Sequence, residues 1–215
     1  MKRFVYELFQ IVPKLRVKFY ILWNRVYFKM LGIEYGDNMC VFNKVYVHGV
    51  GNIKIGDDFK YTSGDDINAI CRNIRGTFRL ATNKSKITIG DRVAISSACL
   101  WANDHISIGN DVLIGGDCLI MDNDAHPHDF IQRRRNYMKT NNGDAYLSLI
   151  STAPVIIDDD VWIGARCVIL KGVHIGARSI IAAGSIVTND IPEDVIAGGN
   201  PAHVIKKNPQ KYPNV

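Results

Sequence analysis

The stretch from Ile157 to Asn189 repeats every six residues, and this period constrains the fold more than any other feature of the chain. A β-branched residue heads every hexad without a slip: Ile157, Ile163, Ile169, Ile175, Ile181 and Val187. Six residues fit neither the 3.6-residue turn of an α-helix nor the simple alternation of an isolated strand. The period is typical of a parallel β-helix, in which three short strands and their turns form a triangular coil of about eighteen residues. We therefore expect the head of each hexad to fill the interior of a prism.

The same phase continues towards the N-terminus with less regularity. Three hexads begin at Ile89, Ile95 and Trp101, and after one extra residue the period resumes at Ile108, Ile114 and Ile120. Turns rich in glycine and acidic residues recur after Ile55, Ile89 and Ile108. The pattern predicts four or five stacked coils in an all-β fold.

Composition agrees with a single domain over residues 1–215. Hydrophobic residues make up 47% of the 215-residue chain, which is enough to bury a substantial core. We expect a helical segment over 1–32, the β-helix over 50–192 with a loop at about 127–154, and a tail over 193–215. Charged residues such as Glu7 and Lys14 interrupt the N-terminal apolar stretch, so we expect neither a secretory leader nor a membrane-spanning helix.

The cysteines predict packing rather than chemistry. Cys99, Cys118 and Cys167 occupy the fifth place of their hexads, where a small apolar side chain is expected to face the core. No CxxC spacing occurs in the chain. We therefore expect free thiols and a reducing, cytoplasmic location.

The first 32 residues follow a different pattern, with apolar residues at helical spacing and an excess of lysine and arginine. Pro13 is expected to separate two helices or to begin the second. Two interpretations stay open. The segment could cap the open end of the β-helix or pack on a neighbouring subunit, or it could be a basic amphipathic anchor at the inner face of a membrane.

One long excursion interrupts the repeats between Ile120 and Ile157, and it carries the strongest candidate for chemistry. It opens with the sequence from Asp122 to Pro127, which contains His126, and continues through the basic run Arg133–Arg135. Loops that project from a rigid scaffold often hold catalytic groups. A histidine where the coil opens is well placed to act as a general base. Arg133–Arg135 could contact acidic groups of an acceptor or form a solvated loop.

The chain resembles the hexapeptide-repeat acyltransferases with a left-handed β-helix, and within them the sugar O-acetyltransferases of the maltose and galactoside acetyltransferase type. The resemblance covers about residues 50–207 and rests on two segments, Asp122–Pro127 and the stretch from Val161 to Ala202. The left-handed winding is implied by the resemblance alone, because the general preference of crossover connections is right-handed.

The resemblance implies direct transfer of an acetyl group from acetyl-CoA to a hydroxyl of a sugar or polysaccharide precursor. The histidine that matches His126 would take the proton of the acceptor hydroxyl, with no covalent acyl-enzyme and no metal. Asp122 or Asp124 could orient His126 through its second ring nitrogen, or simply form the turn.

The resemblance also implies a site for the acetyl-CoA donor. Trp162 matches a tryptophan near the active-site groove, and Ala165 and Ala183 match small positions along the pantetheine arm. Thr188 and Asn189 match a Thr-Lys pair near the adenosine, and His203 stands where arginine is common, so two expected cations are missing. Lys206 would keep a positive charge near the CoA phosphates.

A homotrimer with sites between subunits is implied by the same resemblance. The net charge of +5 is spread along the chain, and no nucleic-acid-binding motif accompanies it. Three alternatives remain: an N-acyltransferase of a nucleotide-linked sugar, a metal enzyme of the carbonic anhydrase type that recruits His105, His126 and His128, and a non-catalytic scaffold.

Overall fold

A computed structural model describes residues 11–64, 70, 74–137 and 146–209. In these described ranges twenty strands form three sheets, and successive strands pass from the first sheet to the second and the third before returning. The first sheet contains β1 (Glu34–Tyr35), β4 (Asn52–Ile55), β7 (Lys86–Ile89), β10 (His105–Ile108), β13 (Val155–Ile157) and β16 (His174–Ile175).

The second and third sheets complete each coil. The second contains β2 (Cys40–Phe42), β5 (Lys60–Thr62), β8 (Ala94–Ser96), β11 (Leu113–Ile114), β14 (Trp162–Ile163), β17 (Ile180–Ile181), β19 (Val195–Gly199) and β20 (Ala202–Lys207). The third contains β3 (Tyr46–Gly49), β6 (Thr77–Leu80), β9 (Cys99–Ala102), β12 (Leu119–Met121), β15 (Val168–Ile169) and β18 (Ile186–Val187). We call the turn from the first to the second sheet corner 1, from the second to the third corner 2, and from the third to the first corner 3.

The predicted β-helix is confirmed, and in the described residues it is longer than expected. Six coils stack in parallel register, and the first begins at Glu34 rather than near residue 50. The segment expected to be a C-terminal tail contains β19 and β20, which pair antiparallel at the end of the second sheet. The first coil was not predicted because Met39, Val41 and Val45 fill its interior in place of a regular repeat of isoleucine.

The hexad heads from Ile157 to Val187 are all buried, with exposures of 1% or less, as the repeat predicts. The phase fails in β9. There Leu100 and Ala102 point inward and are fully buried, so Trp101 and Cys99, on the alternate positions of the strand, are only partly buried. The expectation that Trp101 heads a hexad and that Cys99 faces the core is therefore wrong, whereas Cys118 and Cys167 are buried as expected.

Corner 1 explains the recurrent glycine-acid turns. Asp57, Asp91, Asn110 and Asp159 each accept a hydrogen bond from the backbone N–H of the coil before, at 2.6–2.9 Å. Gly56 is required by the same stacking, because a Cβ there would lie 2.2 Å from the Asp91 carboxylate and 2.7 Å from the Gly90 backbone. The turn side chains thus tie each coil to its neighbour.

The N-terminal helix α1 (Ile11–Met30) packs on the first coil through its C-terminal half. Phe28 is fully buried beside Phe78, and the buried Asn24 donates from Nδ2 to the carbonyls of Val41 and Asn43. Gly32, in the left-handed region at φ +71°, ends the helix. Pro13 lies within the first turn of the described helix, and the predicted break before it falls outside the described residues.

The rest of α1 leaves a row of apolar side chains exposed: Val12, Leu15, Phe19, Leu22, Trp23, Val26 and Met30. Its basic residues accompany this row, and the helix contains no acidic residue. Among the described residues, no helix combines the length and the apolar character needed to cross a bilayer.

Ile156 and Ile157, adjacent in β13, provide a matched test of the core. Ile157 is 1% exposed and Ile156 is 42% exposed. We predict that Ile157→Ala lowers the free energy of unfolding by about 2–5 kcal/mol, because it leaves a cavity between two coils. Ile156→Ala should cost well under half as much. Chemical denaturation of both variants measures the difference, and equal losses would contradict the inward assignment of the hexad heads.

Candidate functional site

The excursion leaves the β-helix at corner 3, and its base is closed by backbone contacts. The Ala153 N–H donates to the Asp122 carbonyl at 2.9 Å, and Asn123 forms an antiparallel bridge with Thr152. The two ends of the excursion are therefore held together where they leave the coil. Within it, α2 (Phe130–Tyr137) follows the histidine segment, and residues 138–145 lie outside the described structure.

His126 lies immediately beyond this closed base. The Asn123 side chain accepts the Ala125 N–H at 2.9 Å, and Ala125 adopts a left-handed conformation at φ +61°. The His126 N–H donates to the Asp124 carbonyl at 2.6 Å. This tight turn directs the exposed imidazole away from the coil.

The imidazole of His126 is bonded to a tyrosine from the far end of the excursion. Its Nδ1 lies 2.7 Å from the Tyr146 hydroxyl oxygen. When Nδ1 carries the proton and donates it to that oxygen, Nε2 keeps the lone pair that a general base needs. Tyr146 can therefore fix both the orientation and the tautomer of the ring.

Asp122 does not occupy the place expected of a residue that orients His126. Its carboxylate is fully buried and accepts the backbone N–H groups of Asn103 and Asp104, each at 2.7 Å, and the Asn123 side-chain N–H at 3.1 Å. Burial raises the pKa of the Asp122 carboxyl, and these N–H donors oppose that rise. Asp122 therefore fixes the neighbouring coil beneath the site.

The Asp124 carboxylate contacts two cationic or ionisable side chains. It lies 2.8 Å from His128 Nε2 and 3.5 Å from Lys171 Nζ. Nδ1 of His126 thus meets Tyr146, the carboxylates of Asp122 and Asp124 meet other groups, and an orienting role of either on His126 stays a prediction. Sequence reasoning missed Tyr146 because it lies twenty residues away across a segment with no repeat to set its register.

A cavity of about 470 Å³ opens beside His126. Arg79, Trp101 and Asn103, from the third-sheet strands and the turn that follows, line it together with His126 and Tyr146. Its size lies within the range of small-molecule sites, about 300–1,000 Å³. Trp101 lines the cavity because the phase shift in β9 turns it outward.

Arg133 has a structural contact in this excursion. Its guanidinium donates to the carbonyls of Pro127 and His128 at 2.8 and 2.6 Å, and so braces the histidine turn. Arg134 lies over the Phe130 ring on the same helix. The side chain of Arg135 lies outside the described structure.

The donor-site candidates lie at two different corners. Trp162, on β14, is 53% exposed. Ala165 and Ala183 occupy corner 2 in consecutive coils. Gly164 packs closely against the Ala183 backbone, because a Cβ added to Gly164 would lie 2.6 Å from the Ala183 nitrogen. This stacking places small residues one above the other at corner 2, where the chain enters the third sheet.

The other donor candidates lie elsewhere on the surface. Thr188 and Asn189 follow β18 at corner 3 and are joined by a 3.0 Å hydrogen bond, while His203 and Lys206 are exposed on β20. Within one chain, His126 lies where the strands of the third sheet end, whereas Ala165 and Ala183 lie where those strands begin. The structure therefore does not bring the proposed base and the corner 2 alanines to the same edge of one chain.

The three histidines of the metal-enzyme alternative have separate partners. His105 Nε2 lies 2.9 Å from the Thr88 hydroxyl, and burial lowers the pKa of the His105 imidazole. His128 contacts Asp124, and His126 contacts Tyr146. In the described parts of the chain, no three His, Cys, Asp or Glu side chains cluster in a way that could hold a metal ion.

A family model of hexapeptide repeats matches part of the repeat region of this chain. The family described as the hexapeptide repeat of succinyl-transferase matches residues 154–189. The chain is 57% identical over 58 residues to a Saccharomyces cerevisiae protein named as a candidate acetyltransferase, YJL218W. That match covers 27% of this chain and 30% of the yeast protein.

A second relative is the 2,3,4,5-tetrahydropyridine-2,6-dicarboxylate N-acetyltransferase of Staphylococcus aureus, 56% identical over 57 residues. The match covers 26% of this chain and 24% of that enzyme. The chain thus spans less than a third of the length of either curated relative.

Among solved structures, the chain is similar to AntD, an N-acyltransferase from Bacillus cereus in complex with dTDP and 3-hydroxybutyryl-CoA. The TM-score is 0.62 at 20% identity, over 86% of this chain and 88% of AntD. At this identity the likeness establishes the fold, a left-handed parallel β-helix with an N-terminal helix.

Tyr146→Phe tests the hydrogen bond to His126. Removal of the hydroxyl should lower kcat of an acyl-transfer reaction about two- to tenfold. The acceptor KM and the melting temperature should stay unchanged, because only the orientation of the base is lost. Tyr35→Phe is the matched control, since it removes a hydroxyl that donates to the Arg25 carbonyl far from the site. Equal kcat values for the two variants would contradict the role of Tyr146.

Proposed function

We propose that this hexapeptide-repeat protein transfers an acetyl group from acetyl-CoA to a hydroxyl of a sugar or polysaccharide precursor. The observation that carries the proposal is the exposed His126 imidazole, held through Nδ1 by Tyr146 at the edge of a cavity. A polar group fixed on a rigid β-helix beside a cavity is the arrangement that general-base catalysis requires.

In the proposed reaction, Nε2 of His126 accepts the proton of the acceptor hydroxyl as the oxygen attacks the thioester carbonyl. The new C–O bond forms, the tetrahedral intermediate collapses, and the C–S bond breaks. The CoA thiolate leaves and takes up the proton that His126 holds, so the base is regenerated.

The corner 2 alanines support the donor half of the proposal. Ala165 and Ala183 place small side chains at corner 2 of consecutive coils, and the exposed Trp162 ring lies on the adjacent sheet. We assign the pantetheine arm to this edge. Thr188, Asn189, His203 and Lys206 would lie towards the adenosine and phosphates, where Lys206 supplies a cation for charge-assisted hydrogen bonds.

We propose a homotrimer, and the separation of these groups within one chain supports it. His126 lies at corner 3 and the alanines at corner 2, on opposite edges of the third sheet. A second copy that packs its corner 2 beside corner 3 of the first would bring donor and base together. Closed cyclic assembly repeats this contact and completes every site.

Transfer to an amine is the second candidate. The Staphylococcus aureus relative is named as an N-acetyltransferase and AntD as an N-acyltransferase, which favours an amine as the nucleophile. The geometry at His126 serves either nucleophile, because an attacking amine must also lose a proton.

Release of free CoA thiol tests the activity directly. We expect thiol release from acetyl-CoA in the presence of a hydroxyl sugar, and a loss of about a hundredfold or more in kcat for His126→Ala with the melting temperature unchanged. Pairs of sugars that differ only in a hydroxyl or amino group identify the nucleophile. Normal turnover by His126→Ala would overturn the assignment of the base, and no release with any acceptor would overturn the activity.

Mixing two inactive variants tests whether each site is shared between chains. His126→Ala removes the base, and Ala183→Trp blocks the exposed corner 2 edge. Coexpression in equal amounts should restore about a quarter of wild-type activity. In about a quarter of the interfaces, a chain that keeps His126 lies beside a chain that keeps Ala183. Light scattering should give a mass near three times the 24.1 kDa chain. No recovery in the mixture would place each site within one chain.

A further inference from the structure

The cavity beside His126 is basic in the described part of the chain. Its lining includes Arg79, His48 and His126, and none of the described lining residues is aspartate or glutamate. Arg79 forms no ion pair with a described residue, although arginine side chains at other places on the surface do so with Asp111 and Asp194. A permanently charged group without a counter-ion at the edge of a cavity favours an anionic ligand.

The position of Arg79 is defined by an aromatic contact. Its Cζ atom lies 4.7 Å from the centroid of the Trp101 ring, within the range of cation–π attraction. The two residues are also paired directly across β6 and β9. A guanidinium held against a ring face keeps its in-plane N–H groups available, and these match the geometry of carboxylate or phosphate oxygens.

Two further side chains of the cavity have polar atoms without a partner. Trp101 Nε1 and Asn103 Oδ1 are buried and form no hydrogen bond with any described residue. Asn103 is 9% exposed, and the backbone N–H of Asn103 donates a hydrogen bond to Asp122 Oδ1. Neither atom is open to solvent, so the exposed Arg79 side chain is the polar group of these three residues that a ligand in the cavity can reach.

We propose that the acceptor carries a negatively charged group, a carboxylate or a phosphate, and that Arg79 binds it. Trp101 holds the guanidinium in place and Asp122 fixes the backbone of Asn103. The assignment of this molecule as acceptor rests on the proposed acetyl transfer, whereas its binding to the cavity does not.

Equilibrium binding with three probes that share one sugar ring tests the charge preference. Glucose is neutral, glucuronate carries a carboxylate and glucose 1-phosphate carries a phosphate. Calorimetry without acetyl-CoA should show at least one charged probe binding about tenfold or more tightly than glucose. The preferred probe identifies the kind of anion. Equal affinity for all three probes, or binding of none, would overturn the proposal.

Variants of Arg79 assign the preference to a residue. Arg79→Ala should weaken the preferred charged probe about tenfold or more and leave glucose unchanged, while Arg79→Lys should restore part of the loss. Lys54→Ala is the control, because it removes one exposed cation from the first sheet, outside this cavity. A similar loss in Lys54→Ala, or none in Arg79→Ala, would contradict the assignment. If charged probes bind as predicted but acetyl-CoA yields no free thiol, the proposed function fails and the binding site stands.

Discussion

The backbone hydrogen bonds between coils are the constraint on which the rest of the structure depends. Each strand pairs in register with the strands directly above and below it, so Ile108 stacks on Ile89 and under Ile157. Any residue that points inward must therefore fit between two similar residues at the strand spacing of about 4.8 Å. Insertions are tolerated only at a corner, where the chain can leave and return without breaking a ladder.

The excursion at corner 3 meets this condition, and it carries His126, the proposed base. β12 keeps its pairing with β9 and β15 on one side, and β13 keeps its pairing with β10 and β16 on the other. Asp122, buried beneath the excursion, ties its base to the turn at Asn103 and Asp104. His126 thus projects from a loop whose base is joined to the coils by hydrogen bonds, and the same turn at Asn103 forms a wall of the cavity.

The sequence predicted the parts of the molecule that the repeat controls. The inward isoleucines from Ile157 to Ile181, the excursion and the exposed histidine all follow from the hexad period or its interruption. Prediction failed where side chains depart from the period. Trp101 could be placed at an inward position only by assuming an unbroken phase, and Tyr146 lies beyond a segment that has no repeat. Asp122 lies close to His126 in sequence, but its carboxylate meets backbone N–H groups because burial requires them.

The central claim is that CoA meets His126 at an interface between two copies of the chain. A crystal structure of the protein with CoA tests it most directly. The account predicts that the pantetheine arm lies along Ala165 and Ala183 of one copy, with its sulfur within about 4 Å of His126 Nε2 of the next. CoA bound at a distance from every His126, or wholly within one chain, would contradict the claim.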